Sequence, residues 1–393
     1  MNRPVFEAAI VGGGPAGCSA AIALAERGVR VVLFEAKTYP HDKLCGEFLS
    51  PECAALLDRL GLTPTMRALR PTQIEIACLT APDGTTWETR LPGVAWGLSR
   101  KALDAALAER AAALGVDVRQ ATTVMGIGGS LQSGFELETR SAASATSNAT
   151  LVRARVVVAA HGKRGALDRA LGRRFLRRPQ PFLALKAHFR GPPLPNRIEL
   201  HAFPGGYCGL SELEGGAANV CLLAHESIFK ARANGHGPAR LAHFLAWMQT
   251  QNARLGDWLT QAKRIDAQWL SIGQAPFVGK RPVVGDVLMV GDAAGLIAPL
   301  AGDGIGMALR GGILTAARTA EFLSGRLSAA EFRRRYAADW QREFGARLRL
   351  GRWLQAFMLR PGLLAHALQI VNAVPPLGRY LVTHTRDMKP LRL

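Results

Sequence analysis

The chain has 393 residues, 48% of them hydrophobic, and carries a formal net charge of +19. This length can bury a large core and suggests two domains or one elaborated domain. The charge attracts anions, but the sequence lacks zinc-ligand spacing, RNP-like strands and basic zippers, so we expect no nucleic-acid partner. A solvated basic surface is the simplest interpretation. Peripheral contact with an anionic membrane or an acidic partner protein is the alternative.

The six cysteines are scattered without a Cys-x-x-Cys pair. This pattern predicts neither a disulfide framework nor a metal site. His161, His188 and His201 are not spaced as metal ligands, and we expect them to be structural. No apolar run approaches the roughly 18 residues that cross a bilayer, and Met1 leads almost directly into the first strand. We therefore expect a cytoplasmic protein that acts on a small-molecule substrate.

The first elements form a strand, a glycine-rich turn, a helix and a second strand. An apolar run over residues 6–11 precedes Gly-Gly-Gly-Pro-Ala-Gly at 12–17, and the second run, Val29–Phe34, stops at Glu35. This is the dinucleotide-binding βαβ pattern. Gly12 permits the tight turn, Gly14 leaves room for a pyrophosphate at the helix N-terminus, and Glu35 is placed to accept a ribose hydroxyl. The pattern predicts a dinucleotide without saying which one.

The middle of the chain alternates between helical and extended patterns. A polar loop over 37–46 leads into a helix that starts near Pro51, and Ser99 is expected to cap a later helix. Alternating apolar residues predict strands at 73–80, 85–91, 116–124, 131–140, 152–160, 182–190, 197–203, 207–213, 217–224 and 287–290. Helices are expected around 239–248 and 253–262, and from about 306 onward.

The stretch Gly291 to Gly306 reads GDAAGLIAPLAGDGIG. An aspartate after a buried strand, then a proline and a glycine-rich helix entry, resembles the second FAD motif of the para-hydroxybenzoate hydroxylase-like flavoproteins. That superfamily includes the group A FAD monooxygenases and the geranylgeranyl reductases. The resemblance implies that Asp292 binds the ribityl chain and that the turn over 302–306 brings backbone N–H groups beside the flavin ring.

Further matches extend the resemblance over most of the chain. Arg100 matches the arginine that family members place on the FAD phosphates, and Val124 matches a residue that contacts the adenine through its backbone. The loop Lys43–Pro51 and Gly295 resemble the geranylgeranyl reductases. In contrast, His161 stands where group A hydroxylases carry an aspartate, and no halogenase-type Trp-x-Trp-x-Ile-Pro segment occurs, which argues against the halogenases.

The resemblance implies an α/β fold: a Rossmann-type FAD-binding domain (ββα sandwich), an inserted antiparallel β-sheet substrate domain and a helical C-terminal region. The FAD-binding domain is expected to be discontinuous, with residues 1–72, 99–165 and 270–325. The substrate domain is expected at 73–98 and 166–269, and the C-terminal region at 326–393.

Two sets of site residues are predicted. Cys45 and Glu47 are the candidate catalytic residues, because a thiol and an acid stand in the loop that the resemblance brings near the flavin. The predicted FAD-binding residues are Gly12, Gly14, Pro15, Ala16, Gly17, Glu35, Ala36, Lys43, Cys45, Arg100, Val124, Gly291, Asp292, Pro299, Gly302, Gly304, Ile305 and Gly306.

Three functions are compatible with this pattern. The first is a monooxygenase that hydroxylates a small aromatic or lipid-like compound; the resemblance implies a flavin C4a-hydroperoxide and NADH or NADPH as a transient electron donor. The second is a geranylgeranyl-reductase-like enzyme that saturates C=C bonds, suggested by Cys45 and Gly295. The third is a non-enzymatic flavoprotein or a maturation factor that acts on a partner protein, suggested by the basic surface.

Overall fold

The computed structural model describes residues 6–142 and 149–378, which form two sheets and several helical layers. The strands are β1 (Phe6–Val11), β2 (Val31–Phe34), β3 (Phe48–Leu49), β4 (Thr72–Thr80), β5 (Thr86–Gly97), β6 (Asp117–Arg119), β7 (Thr122–Ser130), β8 (Gly134–Ser141), β9 (Thr150–Ala159), β10 (Phe182–Arg190), β11 (Arg197–Phe203), β12 (Gly206–Glu212), β13 (Ala218–His225), β14 (Lys263–Arg264), β15 (Leu270–Ile272), β16 (Val283–Val284) and β17 (Val287–Met289). The helices are α1 (Pro15–Ala25), α2 (Glu52–Arg59), α3 (Thr63–Leu69), α4 (Arg100–Ala113), α5 (Ala166–Ala170), α6 (Glu226–Arg232), α7 (Pro238–Thr250), α8 (Ala253–Gln261), α9 (Gly304–Leu323), α10 (Ala329–Met358) and α11 (Pro361–Ala373).

The first sheet has the order β16-β17-β9-β1-β2-β6, and β8 joins β7 to β9. Its central strands run parallel, with Ala8 of β1 opposite Val31 of β2 and Val156 of β9. These strands are almost entirely apolar because helices cover a parallel sheet on its faces. α1 and α9 pack against each other within the same core. The expected α/β fold with a Rossmann-type domain is confirmed.

One predicted strand is wrong in its extent. The run 116–124 forms two strands, because Ala121 adopts φ +50° and the chain turns there. β6 pairs parallel with β2, whereas β7 pairs antiparallel with β8. The apolar pattern continues across the turn, so hydrophobicity alone does not reveal that the two halves have different neighbours.

The second sheet has the order β14-β10-β13-β12-β11-β4-β5-β3, with β15 paired to β10. On β10, Leu185, Ala187 and Phe189 point toward a core that helices α6–α8 cover. The alternate residues Lys186 and His188 point to the opposite face, as the period of two requires. This sheet also includes β3 and β15, which the predicted boundaries assign to the FAD-binding domain.

The C-terminal helices run from α9 across both sheets. Ser328 caps α10 in a capping box with Glu331, and Pro361 begins α11 because proline fits the first turn of a helix. Residues 379–393 of the predicted C-terminal region lie outside the described residues. Among the helices of residues 6–142 and 149–378, none combines the length and the apolar content that crossing a bilayer demands.

Candidate active site

The turn between β1 and α1 is shaped by glycines that leave no room for a side chain. Gly12 has φ +110°, and a Cβ there would lie 2.4 Å from the carbonyl oxygen of Ala160. A Cβ on Gly17 would lie 1.9 Å from the carbonyl oxygen of Gly12. Gly14 precedes Pro15 at the start of α1, and no side chain caps that helix. The N–H groups of its first turn therefore keep their capacity to bind an anion.

Glu35 follows β2, and its buried carboxylate faces the same turn. Oε2 accepts the N–H of Gly13 at 3.0 Å, and Oε1 lies 3.4 Å from Nζ of Lys43. The sequence pattern missed Gly13, where a Cβ would lie 1.9 Å from the hydroxyl of Tyr39. That tyrosine lies beyond the motif, so nothing in the glycine spacing indicates it. The ribose contact of Glu35 stays a prediction.

Two further predicted residues lie beside this turn. Ala36 is exposed directly after Glu35, and Val124 is buried in β7. The N–H of Thr122 donates to the carbonyl of Glu35 at 2.8 Å, which holds β7 next to the end of β2. The structure thus brings Ala36, Val124 and Glu35 together at one edge of the first sheet.

Arg100 begins α4 and reaches the first glycine turn. A Cβ on Gly14 would lie 3.4 Å from its Nη2. Its Nε and Nη2 donate to the two carboxylate oxygens of Asp104 at 2.7 and 2.6 Å. Burial by itself lowers the pKa of Arg100, but the Asp104 charge outweighs it and the pKa is raised. Arg100 is therefore a fixed cation beside the turn, in the position expected of a phosphate ligand.

The second glycine turn follows β17 and touches the first helix. Gly291 has φ +61°, and a Cβ there would lie 2.8 Å from Cβ of Ala16. The carbonyl of Asp292 accepts a hydrogen bond from Lys280 Nζ at 2.8 Å. A Cβ on Gly295 would lie 2.9 Å from Trp340, so packing under α10 accounts for that glycine. The contact of Asp292 with a ribityl chain stays a prediction.

The entry to α9 carries a buried pair of carboxyl groups. Pro299 starts the preceding turn, and Gly302 adopts φ +65°. Asp303 and Glu52 are both buried, and a Cβ on Gly306 would lie 2.9 Å from Asp303 Oδ1 and 3.1 Å from Glu52 Oε1. Burial and the neighbouring Glu52 raise the pKa of Asp303 well above its usual range. Arg347 Nη1 donates to Asp303 Oδ2 at 2.7 Å, so two carboxyl groups and one guanidinium group lie next to the predicted ring-binding turn (residues 302–306), a feature that the glycine pattern did not reveal.

The helices behind the two turns pack in direct contact. Ser19 Oγ donates to the carbonyl of Leu309 at 2.7 Å, and a Cβ on Gly312 would lie 2.6 Å from the carbonyl oxygen of Ala16. Gly304 precedes Gly312 by eight residues, or about 12 Å along the helix. The N-termini of α1 and α9 are therefore close enough for one extended dinucleotide to contact both.

Side chains from other parts of the protein hold the loop that contains Cys45 through hydrogen bonds to its backbone. Three successive carbonyl oxygens accept hydrogen bonds from side chains of other segments. Lys186 Nζ donates to Lys43 at 3.3 Å, Lys163 Nζ to Leu44 at 2.7 Å and Asn219 Nδ2 to Cys45 at 3.1 Å. We call these three side chains the carbonyl clamp. Lys186 and Asn219 belong to the second sheet, whereas Lys163 follows β9 of the first, so the clamp fixes the loop between the two sheets. The sequence pattern indicated none of the three.

Glu47 lies in a buried ion network. Its carboxylate accepts hydrogen bonds from Lys186 Nζ at 2.6 Å, His188 Nε2 at 2.7 Å and the N–H of Arg100 at 2.8 Å. Burial by itself raises the pKa of Glu47, but the His188 hydrogen bond and the Lys186 charge outweigh it and the pKa is lowered. A lowered pKa favours the ionised carboxylate, which accepts these hydrogen bonds, and the catalytic role of Glu47 stays a prediction. Glu47 is buried, and its contacts with Lys186, His188 and Arg100 hold the loop in position.

The pKa of His188 depends on the Glu47 carboxylate. Burial lowers its pKa, but the hydrogen bond and charge of Glu47 reverse the effect, so the pKa is raised. Asp42, Glu47 and His188 offer ligand atoms within 4.8 Å of one another. However, Lys186 Nζ already lies 2.6 Å from Glu47 and 3.6 Å from Asp42. The positive charge that a metal ion would bring to these carboxylates is therefore already supplied by Lys186. The expected absence of a metal stays a prediction.

The residues that follow β9 contact both glycine turns. Arg173 Nη1 donates to Asp168 at 2.9 Å and to the carbonyl of Ala293 at 2.7 Å. His161 Nε2 lies 3.0 Å from the same carboxylate. Burial by itself raises the pKa of Asp168, but the His161 hydrogen bond and Arg173 lower it to about 2. His161, which replaces the expected aspartate, is thus part of a structural ion network.

An apolar face adjoins the Cys45 loop and the second turn. Tyr207 on β12 is buried, and its hydroxyl accepts the N–H of Leu300 at 3.2 Å. Apolar side chains from four regions pack around it: Leu44, Leu200, Leu223, Leu300, Met358, Leu364 and Leu368. The inner side of the second sheet is therefore polar beside Lys186 and apolar beside Tyr207.

Comparisons with known proteins agree with this arrangement. A family model described as "FAD binding domain" matches residues 6–339. The chain is 28% identical over 359 residues to digeranylgeranylglycerophospholipid reductase 2 of Methanopyrus kandleri, covering 86% of this chain and 83% of that protein. It is 27% identical over 321 residues to menaquinone reductase of Mycobacterium tuberculosis, covering 78% and 74%.

A similar fold occurs in a solved structure, the myxobacterial chondrochloren halogenase. The TM-score is 0.77 with 22% sequence identity, and the match covers 95% of this chain and 90% of the halogenase. At this identity the similarity concerns the fold alone.

Proposed function

The chain belongs to the FAD-binding domain family of flavin-dependent oxidoreductases, and from this premise we propose that it reduces carbon–carbon double bonds in the isoprenoid chain of a lipid. The names of both curated relatives denote reductases, and each name includes a lipid with isoprenoid chains. The observation that carries the proposal is the position of the clamped Cys45 loop, between the glycine turns and an apolar face that suits a prenyl chain.

The residues present fit FAD. Two glycine turns without room for side chains meet at Ala16 and Gly291, and Arg100 supplies a fixed positive charge beside the first turn. The uncapped N-termini of α1 and α9 suit a diphosphate and a negatively charged reduced ring, respectively. We propose that the predicted FAD-binding residues act in these positions, with Asp292 on the ribityl chain.

Bound FAD would supply the electron pair for the reduction. The protein's part is to hold the reacting double bond and to exclude water. Lys186, Lys163 and Asn219 fix the backbone of the Cys45 loop, and Glu47 neutralises Lys186 within it. Tyr207 and Leu223 line the apolar face where the chain would lie. We assign to Cys45 a contact with substrate, because it is the polarisable side chain on the clamped loop.

An anaerobic assay tests the proposal directly. The purified holoenzyme, reduced by NADH, NADPH or dithionite, is mixed with a geranylgeranyl lipid, and the product is analysed by mass spectrometry. We expect two hydrogens to be gained for each bond reduced. Cys45→Ala is expected to slow turnover while FAD stays bound, whereas Cys78→Ala in β4 serves as a matched control. A product that gains an oxygen atom only in air would overturn the reductase assignment.

A monooxygenase is the second candidate. The specific observation in its favour is the buried apolar face around Tyr207, because oxygen transfer from a flavin also requires water to be excluded. Substrate-dependent oxygen uptake with NADH or NADPH would support it. Turnover of no small molecule in either assay would favour the third candidate, a flavoprotein without enzymatic activity or a maturation factor.

The electron donor belongs to the same proposal. We propose NADH or NADPH as a transient donor, although His161 replaces the aspartate of the group A hydroxylases and lies in the Asp168 network. Stopped-flow reduction of the bound flavin by each nucleotide gives the comparison. If dithionite reduces the flavin but neither NADH nor NADPH does, neither nucleotide is the electron donor.

A further inference from the structure

Helix α11 exposes an apolar stripe on the side that faces away from the protein. Its inner side is buried through Leu364, Leu368 and Val371. On the outer side, Leu363 is 47% exposed and Ile370 is 56% exposed. Seven residues separate them, so they lie on one helical stripe. The stripe continues beyond the helix in two more exposed side chains, Val374 and Leu377.

The end of α10 extends this apolar surface. Trp353 is 59% exposed and stacks on Phe357, with ring centroids 5.7 Å apart. Eight large apolar side chains are exposed among the described residues, and five of them fall within 353–377. We call these five the C-terminal patch: Trp353, Leu363, Ile370, Val374 and Leu377. A concentration of exposed apolar side chains in one segment of the chain marks an interaction surface.

The charge around the patch identifies what it contacts. The sequence contains no aspartate or glutamate between Glu343 and Asp387. Arg349, Arg352 and Arg360 are exposed around the patch. An apolar stripe with a tryptophan and flanking arginines has the composition of a helix that lies in the interface of a bilayer. A second copy of the chain fits less well, because two such patches face to face would bring the arginines of both copies together.

We propose that the C-terminal patch docks the protein onto an anionic lipid bilayer. Its side chains enter the headgroup region, and Arg349, Arg352 and Arg360 contact lipid phosphates. The inner side of α11 packs on the apolar face around Tyr207 and Leu223. Docking through the outer side therefore brings that face next to the membrane, which is where a prenyl lipid is found. This last step rests on the proposed function, whereas the docking itself does not.

Vesicle flotation of the holoenzyme tests the docking without substrate. Vesicles of phosphatidylcholine with phosphatidylglycerol are compared with vesicles of pure phosphatidylcholine. We expect binding to the anionic vesicles, weakened by salt, and a fall of about tenfold or more in the partition coefficient for Leu363→Glu/Ile370→Glu. Val94→Glu, at a side chain that is 42% exposed in β5, is the matched control and should bind like the wild type. Arg352→Gln/Arg360→Gln should remove the preference for anionic lipid.

Three results would overturn the proposal. The first is wild-type protein that does not float with either kind of vesicle, and the second is unchanged binding of the double glutamate variant. The third is a dimer in light scattering that this variant dissociates while vesicle binding is absent. Flavin absorbance of each variant reports whether the protein is folded. A protein that binds vesicles but reduces no isoprenoid lipid would support docking and refute the proposed function, so the two failures are distinguishable.

Discussion

The glycine turns and the carbonyl clamp differ in what holds them in place. The turns depend on residues without side chains: at Gly17 a single Cβ would meet a carbonyl oxygen at 1.9 Å. The clamp depends on long polar side chains, Lys186, Lys163 and Asn219, that reach backbone atoms far away in sequence. The first kind of constraint is local and strict. The second is assembled only by the tertiary fold, and each of its contacts can be removed separately.

Gly17→Ala disrupts the first glycine turn and should have the largest effect. The added Cβ forces α1 away from β1, and we expect a loss of about 5 kcal/mol in the free energy of unfolding or failure to accumulate as a folded flavoprotein. Gly128→Ala is the control, because a Cβ there meets nothing within 4 Å. Urea unfolding and flavin absorbance measure both effects. A yellow, stable Gly17→Ala protein would refute the packing argument.

Lys186→Met removes one side chain of the carbonyl clamp and should have the second-largest effect. Lys186 is fully buried, and its loss leaves the buried Glu47 carboxylate with one fewer cation. We expect the free energy of unfolding to fall by about 3–5 kcal/mol. The matched control is Lys230→Met, which removes an exposed ion pair with Glu226 and should cost no more than about 1 kcal/mol. Equal urea midpoints for the two variants would contradict the assigned role of the clamp.

Asp292→Ala separates cofactor binding from folding. We expect the fold to persist and FAD affinity to fall by about 1–3 kcal/mol, or roughly 5- to 150-fold in Kd, because a ribityl hydroxyl loses its acceptor. Asp257→Ala on the exposed side of α8 is the control. Fluorescence titration of the apoprotein with FAD gives both constants. Unchanged affinity would remove Asp292 from the predicted binding residues.

The pH dependence of stability sharpens the comparison and is the smallest effect. The pKa of Glu47 is lowered, so its contribution is present above its unfolded pKa and is lost as pH falls through the folded one. The pKa of His188 is raised, so its contribution is present below its unfolded pKa and is lost as pH rises through the folded one.

The Glu47–His188 pair is therefore most stabilising above the unfolded pKa of Glu47 and below the unfolded pKa of His188. Urea midpoints measured across pH should decline on both sides of that window. His188→Gln should abolish the decline on the alkaline side alone. If the alkaline decline persists in this variant, another group is responsible.

The parts of the fold that could be predicted are those with local signals. Gly12, Gly14 and Gly17 with Glu35 indicate a βαβ unit because spacing alone defines it, and Ser99 caps α4 as its position suggests. The α/β fold and the family followed from such motifs. The break at Ala121 was missed, because it depends on which strand each half of the run joins.

The candidate site could be predicted from the sequence only at the glycine turns, where the local backbone conformation requires particular residues. The ion network of Glu47 could not be predicted, because its partners Lys186 and His188 lie about 140 residues away on β10. The carboxyl pair of Glu52 and Asp303 was missed for the same reason. A lysine and a histidine two residues apart on a buried strand are a usable signal, since one face of β10 then carries two charges that need a partner.

The carbonyl clamp has a consequence for protein engineering. Its donors bind backbone oxygens at positions 43–45, so these three hydrogen bonds do not require particular side chains at Leu44 and Cys45. Leu44 packs against the apolar cluster around Tyr207 and Cys45 against the core of the first sheet, and substitution of either leaves the three donors of the clamp in place. A combinatorial library at these two sites would vary selectivity for substrate length and shape on a scaffold that stays rigid.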